Sequence, residues 1–417
     1  MLSLPQKVAG TVGLQLISVL PRAFRIVGRR PKVRIALFLA FSALIGAASW
    51  FSMAESPQPN PQPQATEKRL LRPEWWPTKG NASRKDYAGA ETCAKCHAEI
   101  YSTQQQTSMA HAALRPPLAS LDQPGTHLTL QSGGFTSTIT PGPKGDMYSV
   151  ARGGEGISVP IQWSFGEGVL GQTFILERNG GYFESQLSYY PAIHGLDITP
   201  GHSSKAPQDL ESAFGELQSP ILATRCFNCH ATAATIHGQL EPEHMVPGVS
   251  CEACHGPGAK HVAAMERNDT AQGLAAIFNP ATLKPVVQVD FCGACHRAPM
   301  DVAKEKLLAP IDIRFQPYRL AKSRCWSQPD QRLTCVACHD PHQPLVRDAA
   351  TYDARCLACH RTKDETQPRK DANVAACPVS SSNCTRCHMP RYQVPQMHGS
   401  FTDHYIRIIR PGDPFPI

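Results

Sequence analysis

The apolar and polar positions divide the chain into three regions with different grammars. Residues 35–54, IALFLAFSALIGAASWFSMA, are twenty positions without a charge, long enough for one bilayer-spanning helix. Between residues 126 and 190 the apolar positions alternate in short runs, as at Leu128 and Leu130. A later run, Thr173-Phe174-Ile175-Leu176, leads into Asn179-Gly180-Gly181. Alternation with period two marks half-buried strands, and Asn-Gly between FILER and YFESQL is a two-residue hairpin turn with positive φ available. From residue 220 onward neither a period of 2 nor one of 3.6 is sustained. The expected architecture is therefore mainly short α-helices and irregular coil, with a small antiparallel β insertion and an N-terminal transmembrane helix.

Charge sharpens the N-terminal region. Residues 1–54 hold seven basic side chains (Lys7, Arg22, Arg25, Arg29, Arg30, Lys32, Arg34) and no Asp or Glu. The positive-inside rule makes residues 1–34 a cytoplasmic tail and residues 35–54 a signal-anchor, with everything beyond exported. Ser52-Met53-Ala54 offers a small-x-small cleavage site, so a removed signal peptide is the rival; the long basic stretch favours the anchor. The expected location is the bacterial inner membrane, single-pass, with the bulk of the chain facing the periplasm or cell exterior. The formal charge of +7 vanishes without those seven residues, leaving 34 basic against 34 acidic side chains. No nucleic-acid surface is implied. Residues 55–86 form a Pro/Gln-rich linker whose prolines at 57, 59, 61 and 63 stiffen it.

Cysteine usage decides the class. Of sixteen cysteines, fourteen fall in seven copies of Cys-x-x-Cys-His. They are Cys93/Cys96/His97, Cys226/Cys229/His230, Cys251/Cys254/His255, Cys292/Cys295/His296, Cys335/Cys338/His339, Cys356/Cys359/His360 and Cys384/Cys387/His388. Two thiols about one helical turn apart can add across the two vinyl groups of one porphyrin, and the next histidine is then held beneath the iron. Zinc needs four ligands per site, and neither a redox dithiol nor a disulfide framework needs the histidine. Seven covalent c-type haems are the reading. Residues 87–125 become the first haem segment, 126–200 the β-rich insertion and 201–417 a six-haem domain. The motif histidines after residue 220 are spaced 25, 41, 43, 21 and 28 apart, unlike the near-constant unit of a solenoid.

Each iron has a sixth position to fill, and ten histidines lie outside the motifs (111, 127, 194, 202, 237, 244, 261, 342, 398, 404). The segments GAETCAKCHAEIYSTQQQTSMAHA (89–112), GVSCEACHGPGAKH (248–261), CVACHDPH (335–342) and CTRCHMPRYQVPQMHGSFTDH (384–404) resemble multihaem cytochromes of the cytochrome c-552/c-554 type. That resemblance implies sixth ligands at His111, His261, His342, His398 and His404. His261 and His342 follow a motif histidine by six and three residues. They are too close to reach the far face of the same porphyrin, so as ligands they serve a neighbour. His194 or His202, and His237 or His244, are weaker candidates, and His127 reads as structural. Met109, Met389 and Met397 read as packing residues. Cys325 and Cys377 stand outside the motifs, with a mutual disulfide, buried thiols, or a role at a haem as the alternatives.

The function expected from this pattern is electron transfer along closely packed, mostly bis-histidine haems. The partners would be redox proteins: a quinol-side donor and a cytochrome or terminal reductase as acceptor, with the membrane contacted through the N-terminal helix. The competing expectation is an oxidoreductase in which one open-coordination haem acts on a small nitrogen or sulfur compound; no motif marks its catalytic residues.

Overall fold

The structure is a computed structural model that describes residues 68, 82–305, 311–327, 333–360, 377–410 and 413–415. All belong to one compact unit, Pro59–Ile417. The β region is far larger than an insertion. Nine strands form one sheet: β1 (Ala113–Leu114), β2 (Thr129–Ser132), β3 (Phe135–Thr140), β4 (Met147–Arg152), β5 (Glu155–Phe165), β6 (Gln172–Arg178), β7 (Gly181–Tyr190), β8 (Gly195–Ile198) and β9 (Gly215–Leu217). Strands β2 to β8 lie in chain order, with β1 against β5 and β9 against β7, and every strand pairing is antiparallel. The sheet curls almost shut, because His127 meets Gly195 across the seam and its N–H donates to the His194 carbonyl at 2.6 Å.

This barrel-like sheet overturns the expected helix-dominated fold. Its interior is the largest apolar cluster described: Phe135, Ile139, Tyr148, Phe174, Leu176, Leu187 and Phe214, none more than 3% exposed. A short helix, Leu210–Phe214, is capped by Asp209, which accepts from the Ser212 N–H at 2.8 Å. It plugs the barrel with Phe214, edge-on to Tyr148 and Phe183. The expected β6–β7 hairpin is present, with Asn179 and Gly180 at φ of 53° and 74°. The expected N-terminal transmembrane helix has no counterpart among the described residues. No described helix is long and apolar enough to cross a membrane, and residues 35–54, where it was expected, lie outside the described residues.

A bulge attaches the barrel to the motif region. Ile161 pairs with Leu176, but Trp163 pairs with Ile175, so β5 carries one extra residue. Ile161 and Leu176 consequently face the barrel interior while Trp163, Phe165 and Ile175 face outward. The outward set packs on Phe227 of the second motif helix, with ring centroids 6.0 Å and 5.2 Å from Trp163 and Phe165.

Candidate haem-binding sites

Every motif lies on or beside a short helix: Ala90–Ala94, Pro220–His230, Cys251–His255, Pro285–His296, Cys335–Cys338, Ala349–Leu357 and Cys384–His388. Pro220 and Pro285 start their helices at positions whose N–H would be unpaired anyway, and Ser219 and Asp348 supply side-chain caps. Two helices stop at the motif histidine because the next residue leaves helical space: Gly256 at φ 76° and Arg297 at φ 65°. The second, third, fourth and seventh motifs thus present their histidine in the last turn of a helix.

The motifs come in pairs. The Cys93 thiol meets Cys251, which pushes Cys93 up and holds Cys251 down at about 7. Cys292 meets Cys335 with the same opposed shifts, and Cys356 contacts Cys384. The pairs are therefore first with third, fourth with fifth, and sixth with seventh. Carboxylates tie two of them. Glu252, between the cysteines of the third motif, accepts from the Ala88 and Gly89 N–H groups at 2.8 and 3.0 Å, where the first motif helix begins. Asp353, one turn before Cys356, accepts from the Cys384 and Asn383 N–H groups at 2.8 and 2.6 Å, at the start of the seventh. Burial opposes ionisation of Asp353, but those N–H donors hold its carboxyl below the ordinary value.

The pairs are also linked. Cys254 of the third motif acts electrostatically on Cys292 of the fourth, and Cys338 of the fifth on Cys356 of the sixth. The second motif joins at the fourth, with Cys229 Sγ 3.7 Å from the Ala294 carbonyl oxygen. Its first thiol, Cys226, lies behind Phe227 and is pushed up to about 12 by burial. Thiol contacts within the pairs and electrostatic reach between them order the motifs along one path, first–third–fourth–fifth–sixth–seventh, with the second as a branch beside the fourth. Of the fourteen motif cysteines only Cys96 and Cys387 are exposed, and they stand at the two ends of that path.

The motif residues differ in exposure and in their place relative to the helices. His97 is exposed. It lies past the end of Ala90–Ala94, at φ −116° and ψ 44°, in the break before the next helix, Ala98–Gln104. That break turns the first motif's histidine toward water, although it stays within electrostatic reach of His255. Cys359 falls in the turn beyond Ala349–Leu357 and is half-buried, acting on Cys338 and Cys356 through its charge. His360 follows it at the surface. Cys295 is half-buried in the last turn of Pro285–His296. In each paired motif the first cysteine makes the thiol–thiol contact. A residue three positions later lies about 60° around the helix and roughly 4.5 Å along it, which carries Cys295 off the seam where those thiols meet.

The donor set fits covalent haem. Apolar side chains flanking the motifs are left open to solvent, including Ile221 (58%), Val286 (66%) and Val379 (83%), where a porphyrin face would cover them. His296 is enclosed enough for desolvation to lower its pKa, yet it keeps an exposed face, as a side chain lining a cleft does. His230, His255 and His388 each direct Nδ1 at a backbone carbonyl, of Ala112, Phe278 and Arg407, at 2.8–2.9 Å. That hydrogen bond fixes the tautomer with Nε2 available to a metal. Burial lowers the pKa of His230, His255 and His339 as well, favouring the neutral imidazole that binds iron.

Two of the sequence-predicted partners face motif histidines directly. His342 lies opposite His255, with ring centroids 6.0 Å apart and planes 12° from parallel; His404 lies opposite His339 at 6.2 Å and 38°. Both separations exceed face contact. Two metal–nitrogen bonds of about 2.0 Å, plus roughly 1.1 Å from each ring nitrogen to its ring centre, span about 6 Å. His342 follows the fifth motif but faces the third, as its sequence spacing required. Burial and the neighbouring His339 lower the His404 pKa to about 4.

The other histidines are placed differently. His261 directs Nδ1 at the Gly273 carbonyl at 2.8 Å, within electrostatic reach of His255. His111 engages the Gln105 carbonyl through Nε2 at 2.9 Å. His398 turns to the barrel, with Nε2 2.7 Å from Asp197 Oδ2 and its ring against the Tyr190 edge. His202 spends both nitrogens on Gln186 and Glu184. His127 and His194 lie at the barrel seam, and His237 and His244 are exposed. Met397 packs with Ile313 and Val394, and Cys325 and Cys377 are part-buried. Sequence reasoning missed Glu252, Asp353 and the buried Arg319–Asp403 pair; only the position of Glu252 inside a motif could have drawn attention to it.

Residues 199–256, which carry the second and third motifs, match the family described as cytochrome c554 and c-prime. The chain resembles multihaem c-type cytochromes. Multiheme cytochrome MtrA of Shewanella baltica (strain OS185) is 22% identical over 237 residues, 51% of this chain and 60% of that protein. The chain therefore spans about three fifths of that relative's length. Among solved structures, the outer cell wall cytochrome OcwA aligns over 78% of this chain and 80% of its own at 14% identity, with a TM-score of 0.44, too loose a likeness to assign a fold.

Proposed function

We propose that this chain carries seven covalent haems, one per Cys-x-x-Cys-His, and relays single electrons between redox proteins. The observation that carries the reading is the single order of the motifs, with thiol contacts within the pairs, electrostatic reach between them, and the exposed Cys96 and Cys387 at the two ends. A haem c held at each motif supplies a one-electron Fe(III)/Fe(II) couple. The chain's own residues do the rest. The two thiols of each motif would anchor its haem, Nδ1–carbonyl bonds orient the imidazoles of His230, His255 and His388, and the facing rings of His342 and His404 would serve the third and fifth sites. His261, whose Nδ1–carbonyl bond leaves Nε2 available, is proposed as a further sixth ligand, whereas the Nε2 contacts of His111 with Gln105 and of His398 with Asp197 leave those two in structural roles. The donor is proposed on the quinol side, with a cytochrome or terminal reductase as acceptor. The haem region is exported, since haem is attached to cysteines after export.

One observation favours a second reading at the branch. Phe165 lies flat against His230 at 4.5 Å, and among the described residues the facing-imidazole geometry occurs only at the third and fifth sites. An open haem at the second site would reduce or oxidise a small nitrogen or sulfur compound. Mass measurement and electron paramagnetic resonance of the oxidised, haem-loaded protein test both readings. The relay requires seven haem adducts and low-spin iron throughout the path. One high-spin signal that shifts with added nitrite or sulfite points to the enzyme, and missing adducts would sink both.

A further inference from the structure

Residues 403–407 run between motifs without belonging to a helix or strand, so no ladder holds them in place. A buried ion cluster does so instead. Asp403 and Arg319 are both fully buried. Arg319 donates to Asp403 through Nε (2.9 Å, Oδ1) and Nη2 (2.8 Å, Oδ2), a two-pronged contact. Arg407 Nη1 adds 2.7 Å to Oδ2, and the Tyr405 N–H donates to Oδ1 at 3.0 Å. Arg319 also reaches Asp312 at 3.3 Å, which leaves two guanidiniums against two carboxylates.

This segment touches two haem sites at once. His404 follows Asp403 and faces His339 of the fifth motif. Its carbonyl accepts from Ser323 Oγ at 3.2 Å, while the Ile406 N–H donates to the same Oγ at 2.8 Å. Three residues on, the Arg407 carbonyl receives Nδ1 of His388, the seventh-motif histidine, at 2.9 Å. The Arg407 N–H donates back to the His388 carbonyl at 3.2 Å. The Arg407 side chain is itself pinned by Asp403 and by the Tyr392 hydroxyl.

We infer that Arg319, Asp403 and Arg407 are positioning residues for two redox centres. The cluster keeps His404 on the fifth iron and orients the His388 imidazole of the seventh, so both potentials depend on one buried charge pair. A buried pair broken on one side leaves an unpaired charge that drives rearrangement, and here the rearranging backbone is the ligand-bearing segment. Outer-shell partners of this kind set ligand orientation and basicity. The inference rests on His404 being the sixth ligand of the fifth site.

The test uses the full-length, haem-loaded protein. H404A must convert one low-spin haem to high spin; if all iron stays low-spin, the ligand reading fails and the inference falls with it. Given that result, Asp403→Asn, nearly isosteric but uncharged, should also yield a high-spin signal amounting to one haem in seven. It should shift the midpoint potential of a second, still low-spin haem, with all adducts retained. An unchanged spectrum and redox titration in D403N, after a positive H404A, overturns the positioning role alone. Should D403N fail to accumulate, R319K keeps the charge but loses the two-pronged contact. R319K should give a mixed-spin signal at that haem, and a wild-type spectrum there also overturns the inference.

Discussion

The barrel and the motif region bury their apolar residues by opposite means. In the barrel, Tyr148, Phe174, Leu176 and Phe214 are completely enclosed by one another and by the strands that carry them. In the motif region, Ile221, Val286 and Val379 stand open, and the cluster beside the seventh motif has only Ile313, Val394 and Met397 fully buried. The barrel has a core made by its own chain. The motif region encloses fewer large apolar side chains of its own, and the high proline content, 37 of 417 residues, is tolerable there because few long ladders need to form.

The largest test of this contrast is to withhold the cofactor. In chain produced without haem attachment, amide hydrogen exchange should stay slow across residues 113–217 and become fast across 220–410; uniform protection would abolish the distinction. Next in size, Phe214→Ala should cost the barrel about 3–5 kcal/mol, read as a lower denaturation midpoint for strand signals. The number of attached haems and their low-spin spectrum should be unchanged. A matching loss of haem in that variant would mean that the motif region leans on the barrel core for more than the Phe227 contact.

The smallest effect concerns how one motif pair is tied. Asp353 has its carboxyl pKa depressed by the Cys384 and Asn383 N–H donors. Its contribution is therefore full above the unfolded carboxylate value of about 3.9 and disappears as pH falls through the lower folded value. Asp353→Asn should remove roughly 1 kcal/mol at neutral pH and flatten that acid dependence. The readout is an acid titration of the sixth- and seventh-site haem spectrum; equal acid sensitivity in both proteins would show that Asp353 does not tie the pair.

The two regions also differ in how legible they were. The Cys-x-x-Cys-His residues could be read because thioether chemistry demands a fixed local spacing, and the Asn179-Gly180 hairpin because its backbone demands positive φ. The setting of each motif residue was less legible: His97 and His255 close the same Cys-x-x-Cys-His pattern, yet His97 is exposed and His255 half-buried. The extent of the sheet could not be read. Strands β1 and β9 are two and three residues long and exist only through distant partners, and the bulge that turns Trp163 outward has no local signature. The candidate sixth ligands divide in the same way. His342 and His404 face motif histidines, but His398, named by the same resemblance, is held by Asp197 across 201 positions.

Amino-acid order alone determined the residues and number of the Cys-x-x-Cys-His motifs and one tight turn, because each rests on atoms within a few residues of one another. Which motifs pair, which histidine faces which site, and where a buried Arg319–Asp403 bond spans 84 positions were settled by the folded chain. Those contacts join surfaces whose meeting depends on the register and curvature of everything between them, and no short stretch of sequence encodes that.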